Sequence, residues 1–415
     1  MKKLLVAVLA CAMVAPAFAA FDNVQITGDI QTIGLAVESQ GAGNVTVPAA
    51  PSPNNDLRVT QSRVLLGVGV DLVEDVQAKL TFAHEWIWGT DTINGTDINT
   101  LETNTLVQEA FVNISNVFDA LEVKVGRQFY GDVNSAVMYF GPTYGYINYE
   151  GITPSVGRTT NSLDGVTARY NGDNLTLTAA YFTTTNDVTN AGIPGYTATD
   201  VQKLAGLDGI LKVNENLALQ AYVYDVRSRG ANTWGFWGVK PTFDVEALKL
   251  AAEFAMNYGA VEKGYLVKAD AALPLETEKA VFTPRVTYLQ TGKNFAAFGN
   301  YRPGLMFGTL APNALAIAGY PIFNPDVTGY GANRLVIVNA GICMKFAAAE
   351  KWGFGLDYYR ARIDGQFAGN SWEAKVVYNH NEYVALNLTG AIMNAVGQSL
   401  SQAPTAVQLG MNVKF

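Results

Sequence analysis

The chain has 415 residues, only 15% of them charged, and a formal net charge of −8 at pH 7. With 28 basic against 36 acidic residues there is no basic excess to hold nucleic acid. Two histidines and two cysteines leave little material for a histidine-based active site, a metal cluster or a disulfide framework.

Met1-Lys2-Lys3 is a short basic region, Leu4 to Val14 is an apolar run too short to span a bilayer, and Ala17-Phe18-Ala19 offers small residues at the positions a signal peptidase reads. Residues 1–19 are therefore expected to be a signal peptide and residues 20–415 one folded unit. Leu9-Ala10-Cys11 superficially resembles a lipobox, but the preceding run is short and leucine stands where a smaller residue is usual. Removal of the signal leaves Cys343 alone. No later apolar run approaches 18 residues, so no membrane helix is predicted.

Alternation begins at Val24, Ile26 and Ile30, which leaves no room for a plug domain ahead of it. Val64 to Leu72 and Val76 to Phe82 alternate about a Glu74-Asp75 turn. Leu121, Val123 and Val125 follow a turn at 116–120, and Val166, Ala168 and Tyr170 lead through Asn171–Asn174 to Leu175, Leu177, Ala179 and Tyr181. The pattern repeats after Asn214–Asn216, Asp244–Ala247, Pro274–Lys279, Ala347–Lys351 and His380–Glu382, and ends with Val407, Leu409, Met411, Val413 and Phe415 on one face. Side chains two apart share a face of a strand, so each segment has one greasy and one wet side. In a bilayer only a closed sheet satisfies such backbones. The predicted fold is all-β: a single transmembrane antiparallel β-barrel of about 18 strands (16–18), with short periplasmic turns and long extracellular loops. Trp86, Trp88, Tyr258, Tyr288, Tyr358 and Tyr378 fall near strand ends, the heights of aromatic girdles.

A barrel of this size encloses a water-filled lumen. Parity places Lys79, Glu85, Glu109, Glu122, Lys124 and Arg169 on its lining, followed along the chain by Lys249, Glu253, Lys268, Asp270 and Arg285, and then by Lys345, Asp357, Glu373 and Lys375. The signs are mixed: they either pair to hold the wall or set a transverse field for a polar solute. Arg58, Arg63, Arg227, Arg229, Arg334, Arg360 and Arg362 fall near loop ends and form a candidate ring at the pore mouth. Such a ring would either bind phosphorylated lipid or funnel anionic solutes. Two long aromatic stretches, 131–158 and 292–333, are too apolar to float in water and are expected to fold into the lumen or close over it.

Glu109–Asp132, Leu163–Phe182 and the order of the late strands resemble the alginate-export family of outer-membrane porins, with Gly126-Arg127-Gln128 the most specific match. The terminal phenylalanine is similar to the sorting signal read by the barrel-assembly machinery. Where the family often has Ser-Gly-Asp, this chain has Thr291-Gly292-Lys293. The resemblance implies an 18-stranded porin, monomer or trimer, without carrying alginate as the solute, and it implies Arg127 on the pore wall. Parity instead puts Arg127 outward beside Val125; a register slip at Gly126 would reconcile them. The expected function is passive diffusion of small hydrophilic solutes, saccharides or other anions; the competing reading is a structural or surface-layer barrel whose loops plug the pore. Expected partners are outer-membrane lipid and lipopolysaccharide. No cofactor, metal or nucleic acid is expected, and no enzymatic activity, because parity turns His84 to the lipid and His380 sits in a periplasmic turn.

Overall fold

The computed structural model describes residues 22–38, 57–88, 92–93, 96–97, 106–132, 135–142, 162–184, 202–228, 233–259, 263–293, 295–297, 304–305, 328–329, 334–395 and 405–415. Residues 1–19, the expected signal peptide, Arg229 and most of the stretch 292–333 lie outside them. The barrel strands are β1 (Asp22–Glu38), β2 (Leu57–Val73), β3 (Val76–Ile87), β4 (Leu106–Val117), β5 (Leu121–Gln128) and β6 (Leu163–Asn171). They continue with β7 (Leu175–Thr184), β8 (Gln202–Asn214), β9 (Leu217–Ser228), β10 (Trp234–Val245), β11 (Leu248–Gly259) and β12 (Tyr265–Ala272). The last six are β13 (Ala280–Thr291), β14 (Leu335–Phe346), β15 (Trp352–Ile363), β16 (Gln366–Asn379), β17 (Val384–Ala395) and β18 (Thr405–Lys414).

Each strand pairs antiparallel with the next, and β1 also pairs with β18 from Asp29↔Lys414 to Glu38↔Thr405, closing an 18-stranded barrel. The closing register is fixed at its periplasmic end: the Gly28 amide donates to the Phe415 carbonyl at 2.7 Å and the Phe415 amide to the Gly28 carbonyl at 3.0 Å. The Phe415 ring lies over Gly28, where a Cβ would collide with it. The last residue thus covers the glycine at that end of the first strand.

Burial alternates as the sequence pattern requires. On β11, Glu253, Ala255 and Asn257 are buried while Leu250 and Ala252 are exposed; on β15, Asp357, Tyr359, Ala361 and Ile363 are buried while Leu356, Arg360 and Arg362 are exposed. The exposed set is the outward, apolar face. Aromatic belts bound it. Trp352 stacks with Tyr378 at 4.7 Å toward the periplasmic turns, and Tyr358 with Trp372 at 4.8 Å toward the loops. Trp352 and Tyr358 are six residues apart, about 20 Å along a strand, which a tilt of about 40° turns into roughly 15 Å of height, within the apolar band of about 25 Å for such barrels.

Turns alternate in length around the barrel except that three loop-side connections are short: 229–233, 260–264 and the 15–16 connection. The 15–16 connection, on the loop side, is only Asp364-Gly365, with φ of 48° and 83°. Two positive φ values define the tight hairpin turn that Asp-Gly favours, so not every external connection is long. We expect a membrane-impermeant maleimide on intact cells to label Lys293→Cys and spare Asp173→Cys, both in a Cys343→Ser background; the reverse would invert the orientation.

Candidate functional site: the polar interior

Most inward charges are neutralised in place. Lys79 meets Glu109 at 2.8 Å, with Thr81 donating to the same carboxylate at 2.8 Å. Lys268 meets Asp270 at 2.8 Å, and Thr287 donates to Asp270 at 2.8 Å. Arg285 grips Asp357 with Nε at 3.2 Å and Nη2 at 2.6 Å, and Asn339 adds a donor at 3.3 Å. Lys124 lies over the Phe111 ring at 4.7 Å. Lys249 is inward by register but sits at the periplasmic rim, half-exposed, 3.5 Å from Asp244. Arg169, Lys345 and Lys375 are exposed within the lumen, and among the described residues they form no ion pair; Glu122 lies opposite Arg169 in the register. Glu85 pairs with Arg63 in the backbone register.

Two segments of the aromatic stretches lie inside the barrel. From Ala136 to Phe140 the chain is buried, and the Ser135 hydroxyl accepts the amides of Val137 and Met138 at 3.0 Å, turning the backbone there. This segment packs on an inward aromatic wall: Tyr130 lies 5.0 Å from Phe182, and Tyr224 lies 5.3 Å from Phe236. The Tyr130 and Tyr224 hydroxyls share a hydrogen bond of 3.0 Å. Burial pushes the Tyr130 phenol up to about 12, so it stays neutral. Lys240 on β10 reaches Asp132 at 3.4 Å. On the opposite wall Phe295, Ala297 and Leu305 are buried, and the Leu305 amide donates to Glu373 at 2.7 Å. Gly304 adopts φ 69° where a side chain would strike that carboxylate. Glu373 is thus a docking point for the segment rather than open lining.

Below the 130–138 segment lies a cavity of about 240 Å³, with Arg169, Asp208, Tyr222, Lys240 and Glu253 on its wall. Gln220 donates to Asp208 at 2.7 Å and Tyr222 to Glu253 at 2.8 Å. Sequence reasoning missed Asp208, Tyr222, Tyr224 and Lys240. Pro241 hides β10, because proline breaks a ladder; the β10–β11 pairing indeed skips from Val239↔Phe254 to Thr242↔Ala251. Glu373→Ala is expected to raise single-channel conductance by freeing the 304–305 segment. Lys240→Ala should raise it less, because its half-exposed pair is worth about 0–1 kcal/mol.

The arginines require corrections. Gly126 (φ 128°) holds an unbroken register with Phe111 and Gly165, so there is no slip. Arg127 therefore faces outward with Val125, and grips Asp164 at 2.8 and 2.9 Å; it does not line the pore. The glycine is needed because a Cβ there would strike the Ala110 carbonyl. Arg63 is not at the mouth: it is inward, 2% exposed, and pairs with Asp29 at 3.2 Å within the wall. Arg227, Arg360 and Arg362 lie at the loop ends but on the outward face, because their inward neighbours Val226, Ala361 and Ile363 are the buried ones. Arg334 is exposed beside the 364–365 turn, its amide donating to Asp364 at 3.0 Å. Arg58 is described only by its backbone pairing to Ala36. The described arginines therefore do not form an inward ring at the mouth. His84 shares the outward face with Trp86, 5.4 Å away, and His380 lies in the turn before β17.

A closed 18-stranded barrel with an apolar girdled exterior, a charged interior and loop segments folded inside has the architecture of a bacterial outer-membrane porin. The comparisons agree on the fold. OccK11 (OpdR) of Pseudomonas aeruginosa is similar over 95% of this chain and 96% of its own, with TM-score 0.60 and 11% identity. The outer membrane protein OprD from Pseudomonas aeruginosa is similar over 94% and 93%, with TM-score 0.55 and 11% identity. Acinetobacter baumannii OccAB4 is similar over 94% and 98%, with TM-score 0.53 and 10% identity. No family model and no curated protein matches the sequence.

Proposed function

We propose that this barrel is an outer-membrane channel for passive diffusion of small hydrophilic solutes. The observation that carries it is the polar cavity beside the inward-folded 130–138 segment, at the same level of the lumen as several charged side chains. A partly open, polar constriction is what such a channel needs to admit some solutes and refuse others. The buried segments at 136–140 and 304–305 favour a second reading, a barrel plugged by its own loops. Single-channel recording of purified protein in a planar bilayer separates the two: discrete conductance steps support the channel, and a silent bilayer leaves the plugged barrel. The alginate-export likeness stays with Gly126-Arg127-Gln128 and names no solute.

The channel reading includes weak anion selectivity. Ion-paired charges contribute little field, and Arg169 shares its cavity with Asp208 and Glu253, so the preference rests on Lys345 and Lys375, which are exposed in the lumen and form no ion pair among the described residues. The preference should weaken with salt, since screening acts within about 10 Å at 0.1 M. Reversal potentials in a salt gradient measure it. The double variant Lys345→Glu/Lys375→Glu is expected to move the channel toward cations; unchanged selectivity would take these lysines out of the conduction path.

A further inference from the structure

Arg360 and Arg362 stand two and four residues beyond Tyr358 on the outward face of β15. At about 3.3 Å per residue that is roughly 7 and 13 Å along the strand, or about 5 and 10 Å of height above the outer aromatic belt at the tilt of such barrels. Both are exposed, and Arg360 lies over the Phe367 ring at 5.4 Å. The register extends this level around the wall: Arg360 pairs with Val338 and Asn370, Asn370 with Asn394, and Arg362 with Val336. One row lower the outward residues are Tyr358, Trp372 and Ile392, all apolar or aromatic. The change from greasy to basic and amide side chains occurs within one step of the pleat. The acid nearby is Asp364, whose carboxylate accepts the Arg334 amide at 3.0 Å in the turn, and Arg334 itself adds a third cation.

A cation in the hydrocarbon layer is costly, so these arginines lie in the headgroup layer outside the lipid tails. They face away from the lumen, so a passing solute does not meet them. We propose that the outward face of β14–β16 above the Tyr358–Trp372 pair binds a phosphorylated glycolipid of the outer leaflet. The two guanidinium groups hold its phosphate, and the apolar row beneath packs its acyl chains. Charge complementarity selects this occupant: paired guanidiniums match phosphate oxygens bidentately, and the belt directly below supplies the apolar contact that a free anion would not use.

The test uses full-length protein in detergent, with lipid A bisphosphate, its dephosphorylated form and inorganic phosphate as probes, read by thermal unfolding and native mass spectrometry. Wild type should be stabilised and should retain lipid A bisphosphate, and should respond far less to the other two. Arg360→Gln/Arg362→Gln should weaken retention by about tenfold or more, as loss of charge-assisted hydrogen bonds predicts, while Lys351→Gln at the periplasmic turn should not. The double variant should keep wild-type conductance, which shows that it is folded and separates this surface from the channel. Equal retention by wild type and the double variant overturns the proposal. An equal response to dephosphorylated lipid reduces the surface to acyl packing, and an equal response to inorganic phosphate reduces it to a free-anion site; either result also overturns it.

Discussion

Asp29→Ala is expected to destabilise the barrel by about 1–3 kcal/mol, the cost of removing a buried acceptor that two donors share. Asp29 on β1 accepts from Arg63 on β2 at 3.2 Å and from Asn412 on β18 at 2.8 Å. It therefore ties the first strand to both of its neighbours at the seam where the sheet closes. Arg63 is 2% exposed, so water does not replace the lost carboxylate. Asp29→Asn, which keeps an acceptor for both donors, should cost less than Asp29→Ala. Urea unfolding in lipid vesicles, followed by tryptophan fluorescence, reads the difference. An Asp29→Ala cost no larger than that of Asp29→Asn would mean that the shared acceptor does not hold the seam.

The wall was legible in the sequence because a strand repeats every two residues and the lipid allows few exceptions. The runs Val64 to Leu72 and Leu248 to Met256 face outward as alternation predicts, and Lys79, Glu109, Lys268, Arg285 and Asp357 face inward. What was not legible came from heights and from tertiary folding. Arginines near strand ends gave no sign of their face, because the apolar reference positions stop at the belts: Arg360 and Arg362 follow Tyr358 on the outward face, not into the lumen. The Asp364-Gly365 hairpin carried a strong local signal, yet the expectation of long external loops masked it. Glu373 read as open lining because nothing local announces that Leu305, 68 residues earlier, donates to it. Asp208 and Lys240 were missed because Pro241 and the glycines of β8 blur the alternation that reveals a strand.

Leu409→Arg should cost roughly 1–4 kcal/mol, the depth-dependent penalty of a cation between the belts of such a barrel. Leu409 is outward and 59% exposed, and it pairs with Leu388, which pairs with Val376. That row lies between the two belts, two residues from the inner one and four from the outer. Ile392, opposite Trp372, marks the outer belt, and Leu386, opposite Tyr378, marks the inner one. Leu386→Arg lies at the headgroup boundary and should cost only about 0–1 kcal/mol, because a long side chain there reaches water. Asn387→Arg, one residue on but inward, enters the polar lumen and should also cost little. The three variants thus test depth and facing separately in one unfolding series. Equal costs at Leu409 and Leu386 would mean that the belts do not mark the membrane boundaries. A large cost at Asn387 with none at Leu409 would mean that the apolar face is not the one in lipid.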